Sequence, residues 1–346
     1  MACAAGDGRA SGPARRKRAA DSNWTATASS APGSEPSRAP AGPVASPAAI
    51  GRDATEPAVG CHRGPRPGRG TVSAVQDHDP TTPDPHAGDT SDDALDHTGR
   101  VVVVTGGTKG IGRVLVERFL GWGAEVVTCG RTEPDRLPSA GGRTASFVAA
   151  DVRDPEQAAA VVDAAVERHG TVDVVINNAG GAPEADAATA SPRFSESIVR
   201  LNLLAPLHVA QRANHHMQAG AGGVIVNIAS VSGTRPSPGT AAYGAAKAGL
   251  INLTESLAVE WAPKVRVVGI VAGLIATEQA ELHYGDADAQ ARVASTVPAG
   301  RLGTPEDLAQ ACRWLTSPLA SYVSGSSVWV HGAGERPAFL AAARGE

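Results

Sequence analysis

The sequence predicts an α/β fold in which one doubly wound parallel sheet forms a single domain. From residue 99 onward, apolar runs rich in β-branched residues alternate with helix-like segments, which is typical of a parallel sheet covered by helices. The first run, at residues 100–104, consists almost entirely of valine, as expected of a strand buried on both faces. The first run leads directly into a glycine-rich turn, and a helix-like segment follows that turn.

Composition sets the limits of that domain. The chain has 346 residues, and 12 of its 25 prolines lie before residue 99. In the same stretch Leu, Ile and Phe occur only as Ile50 and Leu95, so too little apolar surface is available to offset the entropy of ordering. We therefore expect residues 1–98 to be a disordered, low-complexity extension and residues 99–346 to form the folded domain.

The predicted extension is polarised in charge. Residues 1–70 hold ten Lys or Arg against five Asp or Glu, whereas residues 71–98 hold seven Asp and no Lys or Arg. We interpret the basic cluster at residues 15–18 as a solvated run rather than a nucleic-acid patch, although the composition also permits an organellar transit peptide. A further hypothesis is that the extension is absent from the mature protein, with a start at Val72 or Val75.

Export, membrane insertion and metal binding are not expected. The sequence has no apolar stretch typical of a secretory signal or of a membrane span. The four cysteines lack the spacing of a disulfide framework, which favours reduced thiols in the cytoplasm. His215 and His216 are adjacent on a predicted helix and cannot face one metal ion together.

The elements follow one another in alternating order. Strands are predicted over residues 100–104, 123–129, 145–150, 172–176, 223–229, 265–271 and 321–332. Helices are predicted over residues 113–120, 155–169, 193–218, 241–261 and 305–316. This order selects the doubly wound arrangement over an antiparallel one.

The turn after the first strand has the composition of a phosphate-binding loop. Gly106, Gly110 and Gly112 carry the pattern G-x-x-x-G-x-G rather than the general G-x-G-x-x-G. Glycines let the backbone approach a pyrophosphate closely, and the amides at the start of the following helix complement its charge. A strand before the turn and a helix after it make this pattern a credible dinucleotide site.

Tyr243 and Lys247 lie four residues apart in a predicted helix, so both side chains project from one face. A neighbouring ammonium favours the phenolate, and we expect Lys247 to lower the pKa of Tyr243 from about 10 toward neutrality. Ser230 ends an apolar run, where a strand would bring its hydroxyl to the same edge of the sheet. The three groups would then converge on one carbonyl oxygen, with Tyr243 giving or taking a proton.

A Ser thirteen residues before a Tyr-x-x-x-Lys motif, downstream of this glycine turn, resembles the short-chain dehydrogenase/reductase family over residues 99–335. The resemblance implies a Rossmann fold in which Tyr243 is the general acid/base and Ser230 orients the substrate carbonyl. It also implies that Lys247 lowers the pKa of the tyrosine and holds the nicotinamide ribose. Asn202 matches the family's asparagine that kinks a helix and anchors a proton-relay water.

The resemblance further implies a nicotinamide dinucleotide cofactor. The second strand ends without the acidic residue usual in NAD-binding members, and Arg131 together with Lys109 favours NADP(H) over NAD(H). Asp151 matches the family's adenine-contacting aspartate, while Asn177 and Asn178 are interpreted as architectural rather than catalytic. Besides the three glycines, Lys109, Arg131, Asp151, Tyr243 and Lys247, the predicted cofactor contacts are Thr108, Ile111, Val152, Asn178, Ala179, Gly180, Gly273, Ile275 and Thr277.

The chain departs from the family pattern after the strand at 265–271. Val268 replaces an asparagine and Ala272 replaces a proline, although Gly273 and Thr277 keep the expected offset. Contacts of this turn to the nicotinamide carboxamide therefore stay predicted. The lost proline leaves the turn less restricted before folding, which tends to lower stability slightly.

Together these features predict an oxidoreductase that transfers a hydride between NADP(H) and a carbonyl or secondary alcohol. Residues 274–298 correspond to the family's lid, where His283 and Tyr284 are the predicted specificity residues. By resemblance the protein is a homotetramer or homodimer with a small-molecule substrate, and neither nucleic acid nor membrane is an expected partner. The alternatives are an NAD(H)-dependent alcohol dehydrogenase of the same family and a non-catalytic, NADP(H)-sensing regulatory protein.

Overall fold

The computed structural model describes residues 92–345 and confirms the predicted parallel α/β sheet. The strands in this range are β1 (Val101–Thr105), β2 (Glu125–Gly130), β3 (Ser139–Ala140), β4 (Arg143–Thr144), β5 (Ser146–Ala149), β6 (Val174–Asn177), β7 (Gly223–Ser230), β8 (Val265–Ala272) and β9 (Ser327–Val330). Seven of them form one parallel sheet in the order β5-β2-β1-β6-β7-β8-β9. The short strands β3 and β4 form a separate antiparallel hairpin.

Helices cover both faces of the sheet. Those in the described part of the chain are α1 (Gly110–Gly121), α2 (Pro155–His169), α3 (Pro192–Val199), α4 (Ala205–Ala219), α5 (Ala241–Trp261), α6 (Ala280–Tyr284), α7 (Ala287–Thr296), α8 (Pro305–Thr316) and α9 (Ala338–Arg344). Val101 and Val103 of β1 pack in one core with α2, α4 and α5, whereas Val102 and Val104 pack in another with α1 and α8. Both faces of β1 are therefore buried, as its uniformly apolar sequence predicts.

Local capping signals explain where two helices begin. The Asp154 side chain accepts hydrogen bonds from the amides of Glu156 and Gln157, directly before Pro155 at the first position of α2. In α8, Thr304 and Asp307 satisfy each other's backbone amides in a capping box. Both helices have the bounds predicted from the sequence. No helix between residues 92 and 345 combines the length and the apolar character that crossing a bilayer requires.

The structure differs from the sequence prediction in several places. Of the last strand, predicted over 321–332, only Ser327–Val330 form β9, because residues 321–326 form a turn and loop that lead into it. The helix predicted over 193–218 is interrupted by a π-helical turn at Arg200–Leu204, which separates α3 from α4. The segment 274–298, for which no element was predicted, contains α6 and α7. The β3–β4 hairpin and α9 were not predicted either, because each is too short to show a period in the sequence.

Residues just before the predicted boundary at 98 pack against the domain. A 3-10 turn spans Asp92–Leu95, and the fully buried His97 stacks edge-to-face on Phe119, with ring centroids 5.0 Å apart. Leu95 is held as well, because the Arg313 Nε atom donates to its carbonyl oxygen at 2.9 Å, so packed structure extends to both residues despite the acidic composition of this stretch. The rest of the predicted disordered extension, residues 1–91, lies outside the described residues.

His97 makes the stability of the domain sensitive to acid. Its Nε2 atom lies 2.8 Å from the Thr316 hydroxyl, and burial lowers its pKa from 6.5 to about 4. The unfolded chain therefore binds an extra proton between pH 6.5 and 4, so stability is lost as the pH falls through this window. We expect on the order of 3 kcal/mol of the free energy of unfolding to be lost there through His97.

Urea unfolding at pH 6.5 and pH 4 measures this loss. His97→Gln, which cannot titrate, is expected to lose correspondingly less stability than the unmodified protein over the same interval. The exposed His215→Gln serves as the matched control. An equal loss in the His97→Gln variant would contradict the assignment.

Candidate active site

The glycine turn that follows β1 adopts backbone conformations that favour glycine. Gly106 and Gly110 have positive φ values of 65° and 55°. At Gly112, an added Cβ atom would lie 2.3 Å from the Gly106 carbonyl oxygen and 2.4 Å from the Asn178 Nδ2 atom. The first turn of α1 therefore packs directly on the loop, which no larger residue at position 112 would allow.

A cleft of about 620 Å3 opens beside this turn, at the carboxyl ends of β1, β2, β5 and β6. Of the predicted cofactor residues, it is lined by Gly106, Thr108, Lys109, Gly110, Ile111, Gly112, Arg131, Asp151, Val152, Asn178, Ala179, Gly180 and Thr277. Its walls thus combine helix-start amides with two cationic side chains, Lys109 and Arg131. That combination suits an extended molecule with several phosphate groups.

Arg153, which no sequence motif predicted, adds a third cation to the cleft. Its Nε atom donates to both carboxylate oxygens of Asp151, at 2.9 and 3.1 Å, and one terminal nitrogen donates to the Ser197 hydroxyl at 3.0 Å. This pairing, with a smaller contribution from Arg131, holds the pKa of Asp151 below its usual value. Arg153 follows Asp151 by two residues beyond the same strand end, so this spacing was the available signal.

The three predicted catalytic residues converge at the ends of β7 and α5. Ser230 is the last residue of β7, and its hydroxyl accepts a hydrogen bond from the Ser232 amide at 3.2 Å. Tyr243 and Lys247 lie in the first two turns of α5, and the Lys247 Nζ atom is 5.7 Å from the centre of the Tyr243 ring. The Ser230 side chain also acts on the Tyr243 phenol, whose pKa it lowers against the larger effect of burial.

The pKa of Tyr243 differs from the sequence expectation. Burial raises it above its ordinary value, and the neighbouring Ser230 side chain opposes this shift without outweighing it. The Lys247 Nζ atom donates to the Ile228 carbonyl oxygen at 2.7 Å. The expected lowering toward neutrality is therefore not what the structure gives, because desolvation of the phenol is the largest contribution.

Lys247 is itself almost fully buried, with 4% of its surface exposed. This desolvation lowers its pKa from 10.5 to about 8. A Cβ atom added at Gly180 would lie 3.4 Å from the Lys247 Nζ atom. The amine thus lies beneath the loop after β6, next to the residues that line the cleft.

Asn202 lies in the π-helical turn and is fully buried. Its Nδ2 atom donates to the carbonyl oxygens of Gly181, at 3.0 Å, and Ile198, at 2.9 Å, while its Oδ1 atom accepts from the Gly181 amide at 2.9 Å. The side chain therefore joins the interrupted helix to the loop after β6. These contacts explain the irregular turn, because the Ile198 carbonyl bonds to a side chain within the helix.

Of the three residues after β8 that were predicted to contact the nicotinamide, only Thr277 lines the cleft. The Ile275 side chain is instead buried in the core against α8 and α1. The Gly273 amide donates to the Val330 carbonyl oxygen at 2.9 Å, and a Cβ atom there would lie 2.7 Å from the His331 Cα atom. Glycine at 273 is thus required by packing against β9.

Tyr243 also borders a smaller cavity of about 90 Å3, away from the glycine turn. Small and apolar side chains line most of it, among them Ala182, Ala187, Phe194 and Ile198.

Within residues 92–345 no three His, Cys, Asp or Glu side chains lie close enough together to hold a metal ion.

Comparisons with known proteins identify the family. A family model described as Enoyl-(Acyl carrier protein) reductase matches residues 98–333. The chain is 36% identical to 3beta-hydroxysteroid dehydrogenase 1 of Eggerthella lenta over 249 residues, which are 68% of this chain and 94% of that relative. The chain belongs to the short-chain dehydrogenase/reductase family.

Other relatives of this short-chain dehydrogenase/reductase agree. It is 34% identical to glucose 1-dehydrogenase 2 of Bacillus subtilis over 247 residues, which are 68% of this chain and 95% of that protein. A solved structure of 7 alpha-hydroxysteroid dehydrogenase, complexed with NADH and 7-oxo glycochenodeoxycholic acid, superposes with a TM-score of 0.65 at 27% identity. That alignment covers 71% of this chain and 98% of the other.

Family membership fixes the class of reaction. The protein is an oxidoreductase that acts on CH–OH or C=O groups by hydride transfer, in a family that binds NAD(P)(H).

Glu278 and Gln279 also line the cleft, although no sequence motif predicted either of them. Their position next to Thr277 was the only signal, since the lid sequence has no distinctive pattern.

The buried amine of this short-chain dehydrogenase/reductase gives a stability test. The pKa of Lys247 is 10.5 in the unfolded chain and about 8 in the folded protein. Below pH 8 the folded state therefore carries the full cost of a buried charge, and this cost disappears as the pH rises to 10.5. Without cofactor at pH 7, Lys247→Met is expected to raise the free energy of unfolding by on the order of 2 kcal/mol, with the lost Ile228 hydrogen bond included.

Denaturant unfolding at pH 7 and pH 10.5 measures this gain, which should shrink toward the higher pH. Lys264→Met is the matched control, since it removes an equal charge from an exposed position. A gain that stays constant between the two pH values would contradict the proposed cost of burial.

Proposed function

We propose that this protein is an NADP(H)-dependent carbonyl reductase or alcohol dehydrogenase in which Tyr243 is the general acid/base. The observation that supports it most is the convergence of Ser230, Tyr243 and the buried Lys247 at the strand ends, beside the cleft at the glycine turn. A protein that only senses a dinucleotide has no need of this proton-transfer set.

The residues of the cleft fit a nicotinamide dinucleotide. The tight contact of Gly112 on Gly106 brings the first amides of α1 to the wall of the cleft, where they suit a diphosphate. Lys109 and Arg131 add positive charge on the same side. The volume of about 620 Å3 accommodates a ligand larger than a single nucleotide base.

The chain's own residues then handle the proton on the substrate oxygen. When bound, the cofactor supplies or accepts the hydride at the substrate carbon. The Ser230 hydroxyl holds the carbonyl oxygen, and the Tyr243 phenol donates a proton to that oxygen or accepts one from it. Lys247, when charged, stabilises the phenolate, and the set of donors stabilises the developing alkoxide.

The preference for the phosphorylated cofactor rests on charge. β2 ends at Gly130, and Arg131 follows it as an exposed side chain on the wall of the cleft. An Arg there presents a fork suited to a 2′-phosphate, whereas an acidic residue would repel one. Since one related structure is a complex with NADH, use of NAD(H) is the alternative.

The substrate is a small molecule with a carbonyl or secondary alcohol group. Relatives are named for steroids and for glucose, so the family alone does not narrow the choice. We place the enzyme in the cytoplasm as a homotetramer or homodimer through the long helices. The exposed apolar side chain of Val259 on α5 supports this assembly.

Replacing the phenol tests the proposed role directly. Tyr243→Phe is expected to lower kcat by about 100-fold or more, because no other group donates the proton to the substrate oxygen. NADPH affinity, measured by nicotinamide fluorescence, should change little. Turnover is followed as NADPH oxidation with a panel of ketones and aldehydes.

Tyr322→Phe is the matched control, because this tyrosine is fully exposed and should leave turnover unchanged. Turnover retained in Tyr243→Phe would refute the assignment. If the unmodified protein binds NADPH tightly but turns over no member of the panel, the regulatory alternative is favoured instead.

The cofactor preference is tested at Arg131. Arg131→Ala is expected to weaken NADPH binding by about tenfold, because a charge-assisted contact to the 2′-phosphate is lost, and to leave NADH binding unchanged. Calorimetric titration of both cofactors measures the effect. Arg136→Ala, at a nearby exposed arginine, is the control, and equal losses for NADPH and NADH in Arg131→Ala would contradict the prediction.

A further inference from the structure

One carboxylate of the chain already lies at the start of α1. The Glu278 Oε1 atom accepts a hydrogen bond from the Gly110 amide at 2.6 Å. Gly110 is the first residue of α1, and both residues line the cleft. The contact therefore joins the glycine turn to a segment 168 residues further along the chain.

The start of α1 favours a negatively charged partner such as Glu278. The first amides of a helix lack partners within the helix and carry a partial positive charge, so they bind anions. α1 has no acidic residue in its first turn, and its N-cap residue Lys109 makes no side-chain capping bond. Glu278 supplies the anion that the local sequence does not.

The segment that carries Glu278 is anchored on both sides. Before it, the Ala276 amide donates to the Gly303 carbonyl oxygen at 2.8 Å. After it, the Ala299 amide donates to the Gly332 carbonyl oxygen at 3.1 Å. We define the residues between these anchors, 277–298, as the lid segment. The Glu278 bond ties it to the opposite wall of the cleft.

We propose that Glu278 competes with the diphosphate of the cofactor for the amides at the start of α1, and so limits cofactor affinity. This inference rests on the dinucleotide binding proposed above. One amide cannot serve two anions, and two like charges at one helix start repel each other. The diphosphate must therefore displace the carboxylate, which frees the lid segment from the glycine turn.

Competition has a defined consequence for binding. The free energy of the Glu278 contact is lost whenever the diphosphate binds, so it raises the Kd for any ligand that carries this group. A ligand that lacks the diphosphate and occupies only the adenosine end of the cleft does not meet Glu278. Sensitivity to Glu278 should therefore follow the diphosphate and not the nucleoside.

The experiment is calorimetric titration of the full chain with three probes: NADPH, inorganic pyrophosphate and adenosine 2′-monophosphate. Glu278→Gln, which removes the charge at nearly constant shape, is expected to lower the Kd for NADPH and for pyrophosphate about fivefold. The Kd for adenosine 2′-monophosphate should not change. Glu278→Ala should tighten diphosphate binding at least as much, because it also removes the hydrogen-bond acceptor.

Glu281→Gln is the matched control, since Glu281 is an exposed carboxylate of the same lid segment. Unchanged or weaker binding of pyrophosphate and NADPH to Glu278→Gln would overturn the proposal, and so would equal tightening in Glu281→Gln. If no variant binds NADPH while pyrophosphate still shows the fivefold gain, the competition stands and the proposed function fails. A lower thermal midpoint in Glu278→Gln with unchanged Kd values would also overturn the proposal, because Glu278 would then only stabilise the start of α1.

Discussion

The parallel pairing of β1 with β6 is the constraint on which the site depends. The sheet continues to β2 and β5 on one side of this pair and to β7, β8 and β9 on the other, so the connections leave in opposite directions. A crevice opens at such a point, outside the carboxyl ends of the strands. The Thr105 hydroxyl oxygen accepts hydrogen bonds from the amides of Asn178 and Ala179, at 3.0 Å each, which ties together the two loops at its floor.

A buried polar chain fixes the helix that carries the proposed catalytic pair. The Asn177 Nδ2 atom donates to the Asn227 Oδ1 atom at 2.9 Å, and the Asn227 Nδ2 atom donates to the Thr254 hydroxyl at 2.9 Å. These bonds link β6, β7 and α5, so α5 cannot rotate without leaving buried polar groups unpaired. Tyr243 and Lys247 therefore keep one orientation relative to the strand ends, which is the preorganisation that proton transfer requires.

Local sequence signals predicted most of the fold, and tertiary contacts decided the rest. The starts of α2 and α8 follow from proline and capping residues, which are local signals. The π-helical turn does not, because Asn202 bonds both to the Ile198 carbonyl within the helix and to Gly181, which lies outside it. Glu278 lacked any sequence motif, since its partner Gly110 lies across the cleft, and Arg153 had only its spacing from Asp151. The glycine turn and the Tyr-x-x-x-Lys pair were predictable because their spacing alone sets their geometry.

The pKa values of the site could not follow from spacing, because burial acts on both members of the pair. Desolvation raises the pKa of Tyr243 and lowers that of Lys247, so it favours the uncharged form of each. A phenol that keeps its proton at neutral pH is suited to protonate a substrate oxygen, which is the step that carbonyl reduction needs. Alcohol oxidation needs the phenolate instead, which the Ser230 side chain favours and which Lys247 stabilises when it is charged. Tyr243 and Lys247 thus support both directions of the proposed reaction. The protonated phenol, which acts as the acid in reduction, is the form that burial favours.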